Sequence, residues 1–318
     1  MVAVNTDMTN YLKDIQNYNS WKVIEHIKKG WSDDQKFFIE DKNGEKYLLK
    51  LSSISKYDKK KAEFNYLLQL RSMNINTPRP INFGKCGNGE MIYSLLSWTE
   101  GEDAIAILPT LNTDKQYRLG IEAGRMLKKI HSIVPLMSFQ PWEVMFQIKI
   151  DKVLRFYHEC GYKINNDEEI ISYIKNNVKY LKHRPITFIH GDYHLGNMII
   201  TPEYELAIID FNRYGYGDPF EEYDRFVFTW KTSTAFANGQ LHGYFDGEVP
   251  DEFFRLMSLY SARNLIASIP WAISREKEDL KIAIGNADIA YEQFEGFSTH
   301  IPKWYKTIQQ LANMEWIK

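Results

Sequence analysis

His190-Gly191-Asp192-Tyr193-His194-Leu195-Gly196-Asn197 is followed, on the next apolar run, by Ile208-Ile209-Asp210. Asp192 and Asp210 are carboxylates, and Asn197 adds a carbonyl oxygen. Asp192 is a candidate base, and Asn197 and Asp210 are hard oxygen donors of the kind Mg²⁺ takes. Met198-Ile199-Ile200 and Leu206-Ala207-Ile208-Ile209 read as two short buried strands, and Thr201-Pro202-Glu203-Tyr204 between them reads as a turn. Antiparallel strands share their ends. Such a hairpin therefore predicts that Asn197 and Asp210 converge, although thirteen positions separate them. Singly, an Asp after Gly or an Asn before an apolar run is an ordinary turn residue. The information lies in the set.

The pattern H-G-D-x-H-x-x-N, with apolar residues and an Asp beyond it, resembles the catalytic loop of aminoglycoside phosphotransferases and the related choline kinase-like enzymes. The resemblance is firm over 188–224 and runs from about 21 to 270. It implies an α+β, two-lobed, protein-kinase-like fold. A small antiparallel-sheet nucleotide-binding lobe would span 1–97, with a hinge near 96–100, and a larger, mainly helical lobe would span 98–318. The implied reaction moves the γ-phosphoryl group of ATP or GTP, with Mg²⁺, to a hydroxyl of a small molecule. Such a transfer asks chiefly for positioning and charge compensation. Asp192 is then the catalytic residue, orienting the acceptor hydroxyl and taking its proton late. Asn197 and Asp210 are the metal ligands, and His190 and His194 brace the loop. Gly217-Asp218-Pro219-Phe220-Glu221-Glu222 fits the G-D-P-x-x-D of these enzymes, with Glu222 where Asp is usual. A loop-supporting role carries over to Glu222. Asp210-Phe211-Asn212 departs from the Asp-Phe-Gly of protein kinases, and without the Gly a backbone flip there is costly.

The same reading predicts a lysine on a strand and a glutamate on the next helix. Tyr47-Leu48-Leu49-Lys50-Leu51 follows the Asn43-Gly44 turn and reads as that strand. Alternation sets Leu48 and Lys50 on one face and Tyr47, Leu49 and Leu51 on the other. Lys59 to Leu70 reads as a helix with Glu63, Leu67 and Leu70 on one side. A glutamate there needs a partner, and Lys50 is the natural one; the pair would place the nucleotide phosphates. Lys29-Gly30-Trp31-Ser32-Asp33-Asp34, between the strand-like stretches Trp21–Ile27 and Lys36–Glu40, would cover those phosphates, with Ser32 touching them. Met91 to Leu96 reads as a strand. The resemblance places Ser97 and Trp98 at the hinge that binds the base, and Ile199 and Ile209 beneath it.

The 318 residues are 44% hydrophobic and 25% charged, which suits a soluble globular protein of one large or two small domains. A net charge of −2 implies no nucleic-acid partner. Cys86 and Cys160 are too few for a disulfide framework or a zinc site. The opening Met1-Val2-Ala3-Val4-Asn5 lacks the pattern of a signal peptide, and no apolar run reaches membrane-spanning length. A cytoplasmic setting is the expectation. Thr113-Asp114-Lys115-Gln116 resembles a capping box opening a helix through Ile130. Further helices are expected near 142–160, 167–182, 220–231, 233–244, 251–269, 276–294 and 299–313.

The acceptor is expected to be amine-bearing or sugar-like. Glu221, Glu222, Asp224, Asp246, Glu248, Asp251 and Glu252 could meet ammonium groups. Tyr223, Trp230, Tyr260 and Trp271 could meet cations. Two other readings exist: a catalytically idle nucleotide-binding module on the same fold, and a protein kinase. The first is opposed by the full set of polar residues. The second is opposed by the lack of an A-P-E ending after Asp210.

Overall fold

The computed structural model describes residues 11–28 and 33–314. The chain divides into two units. One comprises 1–102 and 199–212; the other comprises 103–198 and 213–318.

Alternating apolar residues build the first unit's sheet. Strands β1 (Trp21–Ile27), β2 (Gln35–Asp41), β3 (Lys46–Ser53), β4 (Pro80–Cys86) and β5 (Met91–Ser97) are ordered β1-β2-β3-β5-β4, and their pairings are antiparallel. Phe37, Ile39, Leu49, Leu51, Tyr93 and Leu95 share a core on one face with Leu12 and Ile15. In the β2–β3 turn the Asp41 carboxylate accepts from the Asn43 and Glu45 N–H groups, and Gly44 takes a positive φ of 83°, where only glycine is strain-free. Lys50 lies on the opposite face, paired across the sheet with Lys36 and Ser94. Helix α1 (Tyr57–Ser72) buries Lys60, Glu63, Phe64, Leu67 and Leu70.

Strands β6 (Glu102–Asp103), β8 (Met198–Ile200) and β9 (Leu206–Ile208) form a small sheet, with β8 and β9 as neighbours. Asn76 ties β9 to the segment that follows α1. Its carbonyl accepts from Ile208 N at 2.9 Å, and its amide donates to Leu206 O at 3.1 Å.

In the second unit β7 (Thr187–Ile189) pairs antiparallel with β10 (Gly215–Gly217). Its helices are α2 (Ala104–Ile107), α3 (Thr113–His131), α4 (Trp142–Glu159), α5 (Asp167–Asn177), α6 (Val227–Trp230), α7 (Thr234–Phe245), α8 (Asp251–Ile273), α9 (Lys277–Gln293) and α10 (Ile308–Asn313). Helix α8 packs against α4, α5 and α9. Helices α3 and α7 meet backbone to backbone. A methyl carbon built on Gly124 would stand 2.1 Å from Gln240 O, and one on Gly239 would stand 2.1 Å from Tyr117 O. Two hydrogen bonds flank this seam, Tyr117 Oη to His242 Nδ1 at 2.9 Å and His131 Nδ1 to Tyr244 Oη at 2.8 Å.

Three helical expectations are corrected. Asn112, not Thr113, caps α3, its side chain accepting from Lys115 N. The stretch 220–231 splits into a 3₁₀ turn, Pro219–Tyr223, and the short α6; Glu221 turns to Lys149 on α4, and Glu222 turns to the backbone of the loop 190–193. The stretch 299–313 is helical only from Ile308, where Thr307 provides the cap; Pro302 has no N–H to extend a helix upstream. Among the described residues no helix is long and apolar enough to cross a membrane. Cys86 is buried and Cys160 partly so, both as free thiols.

Candidate active site

In the second unit, β7 delivers the chain into the loop 190–197. The loop is shaped by Glu222, which is 5% exposed. Its carboxylate accepts from His190 N at 2.7 Å, Gly191 N at 2.8 Å and Tyr193 N at 3.2 Å. His131 Nε2 lies 3.5 Å away. Burial pushes the Glu222 carboxyl up, but the adjoining histidines and the Tyr193 N–H outweigh it and hold the group below its usual range. Gly191 has a φ of 78°, and a Cβ there would stand 2.2 Å from Arg213 O. Only glycine fits that position. His190 is fully buried and its Nδ1 accepts from Asp192 N at 3.2 Å. His194 caps the turn Leu195–Asn197, its Nδ1 accepting from Gly196 N at 3.0 Å.

This scaffold fixes Asp192. The Asn197 amide donates to Asp192 O at 2.9 Å and to Asp192 Oδ2 at 3.0 Å. His194 Nε2 stands 3.4 Å and Arg213 Nε 3.8 Å from the carboxylate, and Arg225 Nη1 is ion-paired with Oδ1. Burial raises the Asp192 carboxyl, but the His194 hydrogen bond and the charges of Arg225, His194 and Arg213 win. The group is held far below the ordinary carboxylate range. Both oxygens of the carboxylate thus have partners, Oδ1 facing Arg225 and His194 and Oδ2 facing Asn197 and Arg213.

In the first unit Lys50 Nζ lies 3.3 Å from Glu63 Oε1 and 3.7 Å from Asp210 Oδ1. Burial pulls the Lys50 ammonium down, but Glu63, Asp210 and Asp34 raise it above its ordinary value. The pairing of Lys50 with Glu63 expected from strand and helix periodicity is thus present. A second buried cation, Lys60, was not anticipated. It donates to Asp34 at 2.6 Å, Glu63 at 3.1 Å and Asn212 Oδ1 at 2.6 Å, and Asn212 in turn donates to Asp210 Oδ1. Burial raises the Asp34 carboxyl, but its hydrogen bond from Lys60 and neighbouring charges lower it overall. Asp210 takes a positive φ of 63°, a region Asp tolerates better than most side chains. Lys36 Nζ approaches Asp210 Oδ2 to 3.6 Å.

The remaining expected residues fall as follows. Ser97 Oγ accepts from Arg79 N at 2.8 Å. Trp98 N donates to Lys46 O at 3.0 Å, and its ring meets Phe38 edge-on. Ile199 and Ile209 are half-buried, the first in β8 and the second just after β9. Ser32 lies outside the described residues. Tyr223, Trp230 and Tyr260 are buried, at 1%, 7% and 0% exposure, so they are core rather than contact surface; Trp271 is 40% exposed.

The antiparallel sheet with its buried Lys50–Glu63 pair, together with the loop carrying Asp192 and Asn197, defines a protein of the kinase-like class. The profile of the phosphotransferase enzyme family matches residues 23–254, and the chain belongs to that family. Solved structures give the same fold. The GDP complex of wild-type aminoglycoside 2'-phosphotransferase-IIIa superposes with a TM-score of 0.68 at 15% identity, covering 90% of this chain and 97% of that one. A thermostable mutant of aminoglycoside phosphotransferase APH(4)-Ia, in ternary complex with ADP and hygromycin B, gives 0.65 at 15% identity, covering 91% and 98%. The streptomycin-ATP-APH(2'')-IIa ternary complex gives 0.63 at 17% identity, covering 92% and 99%. A comparison with curated proteins finds no match.

Proposed function

We propose that this phosphotransferase moves the γ-phosphoryl group of ATP or GTP, with Mg²⁺, to a hydroxyl of an amine-bearing or sugar-like small molecule. The observation that carries the reading is Asp192: a carboxylate kept ionised on a loop whose backbone is clamped by Glu222. The similar structures hold GDP, ADP or ATP, two of them with an aminoglycoside, which supports a nucleotide donor here.

Asp192 receives the acceptor hydroxyl by hydrogen bond. So weak a base takes the proton only as the phosphoryl group leaves the nucleotide, which suits a loose transition state. Lys50, held by Glu63, binds the donor phosphates. By the resemblance of the loop, Asn197 and Asp210 would supply hard oxygens for the metal. Among the described residues no group of three or more His, Cys, Asp or Glu side chains could hold a metal unaided. That donor set fits Mg²⁺, which usually takes one or two protein ligands and completes its shell with phosphates and water. When bound, it neutralises charge on the transferring phosphates.

The test is incubation with Mg²⁺, ATP or GTP and a panel of aminoglycosides, macrolides, amino alcohols and sugars, read by mass spectrometry. A phosphorylated product is expected. Asp192→Asn should keep nucleotide binding and lose turnover by roughly a hundredfold or more. Full activity in that variant removes Asp192 from the chemistry. Nucleotide binding with no product from any acceptor favours the idle-module reading.

A further inference from the structure

Asp224 and Glu222 share the Arg225 charge with Asp192, and Arg213 adds a second cation at the same carboxylate. Two guanidiniums face this one carboxylate, Arg225 in direct contact and Arg213 at 3.8 Å, and neither can give up its charge. Both reach solvent, with side-chain exposures of 26% for Arg225 and 44% for Arg213. Arg225 Nη1 serves Asp192 and, at 3.5 Å, the Gly191 carbonyl. A guanidinium has five N–H donors in a planar fork.

Most of the acids that a polyamine would need are engaged by the protein itself. Lys149 lies on Glu221 at 2.6 and 2.8 Å, and Asn264 on Asp224 at 3.1 Å. Lys128 pairs with Asp246, Arg255 with Asp251 at 2.7 Å, and Arg184 with Glu252 at 2.9 Å. Arg263 also stands 3.9 Å from Asp224, so opening any of these acids to an ammonium group would trade one ion pair for another.

We infer that the acceptor carries, beside its hydroxyl, an anionic group of carboxylate or phosphate type, bound by Arg225 and Arg213. This rests on the kinase reading above. An oxyanion takes the arginine fork in two parallel hydrogen bonds. It also draws the Arg225 guanidinium off Asp192, so the carboxylate meets the hydroxyl only when the acid group of the acceptor is seated. An acceptor without that group finds Asp192 already occupied. Selectivity of this kind comes from a polar group left unpaired by the wrong substrate.

The test uses matched pairs that differ in the acid group: gluconate and sorbitol, glycerate and glycerol, serine and ethanolamine, glucose 6-phosphate and glucose. Each is titrated calorimetrically into the full chain and also offered as acceptor with ATP or GTP. In at least one pair the anionic member should bind at least about tenfold more tightly than its partner. Arg225→Met should erase that difference, Arg225→Lys should keep part of it, and Arg213→Gln should weaken it without touching the direct ion pair on Asp192. Thermal melts establish that each variant is folded. The inference falls if no anionic member binds, or if neutral or amine members bind or react best. It also falls if Arg225→Met slows every acceptor equally at unchanged affinity, which assigns Arg225 to the transferring phosphoryl group instead. Arg225-dependent binding of acids without any phosphoryl transfer leaves the anion site standing and removes the kinase reading.

Discussion

One buried carboxylate sets the geometry of the loop proposed to be catalytic. Glu222 accepts three backbone N–H groups within four residues, so it acts as a template on which 190–193 is laid. Glu222→Gln keeps the shape but removes the charge and one acceptor oxygen. The expected cost is about 1–3 kcal/mol, the scale for leaving buried polar groups unsatisfied, measured as a shift in the urea midpoint. The kcat should fall more than nucleotide affinity, since the loop holds Asp192 rather than the donor. Unchanged stability together with unchanged kcat would show that the loop holds itself. At this scale the sequence was informative where spacing encodes chemistry. His190 to Asn197 is a fixed pattern, and Glu63 sits on the apolar side of its helix. It was mute on Lys60, the middle member of Lys59-Lys60-Lys61, which reads as a solvated run. That Lys60 reaches Asp34, Glu63 and Asn212 depends on partners as far as 26 and 152 positions away, and no local period carries that.

At the scale of elements, α3 and α7 approach backbone to backbone. Their contact is made by glycines four apart on each helix, Gly120 and Gly124 against Gly239 and Gly243, which lie on one face because residues i and i+4 are neighbours. Each glycine weakens its own helix by about 1 kcal/mol relative to Ala, so their presence is explained by close approach. Gly124→Ala should therefore destabilise, by about 1–3 kcal/mol for overpacking, despite the better helix former; a thermal melt decides. An unchanged or higher Tm would mean that the helices can part cheaply. The spacing was visible in the chain, but isolated helical glycines also occur as plain defects, and only the partner helix tells the two apart. The same limit explains the overextended helix at 299–313: periodic apolar residues continue there, while Pro302 and the Thr307 cap decide where the helix can begin.

On the scale of the whole molecule, folding stability should depend on His242. Burial pushes this imidazole down to about 4 from an ordinary 6.5, against a smaller raising effect from the Lys306 backbone. Below about 6.5 the unfolded chain takes up a proton that the folded one refuses. The contribution is therefore complete above 6.5 and is lost as the pH falls toward about 4. Urea unfolding across pH 4–8 should show this slope, and His242→Gln should flatten it; a slope unchanged by that substitution assigns the effect to other groups.

The first unit is assembled from two separate stretches, 1–102 and 199–212. The second stretch carries Asp210 and Asn212, to which Lys50 and Lys60 are bound, and the β9 strand that Asn76 holds. Recombination between relatives must respect this. A chimera that exchanges 1–102 alone pairs foreign lysines with a resident Asp210 segment, so the heritable module behind the proposed donor site is a discontinuous one, and a single crossover point would break it.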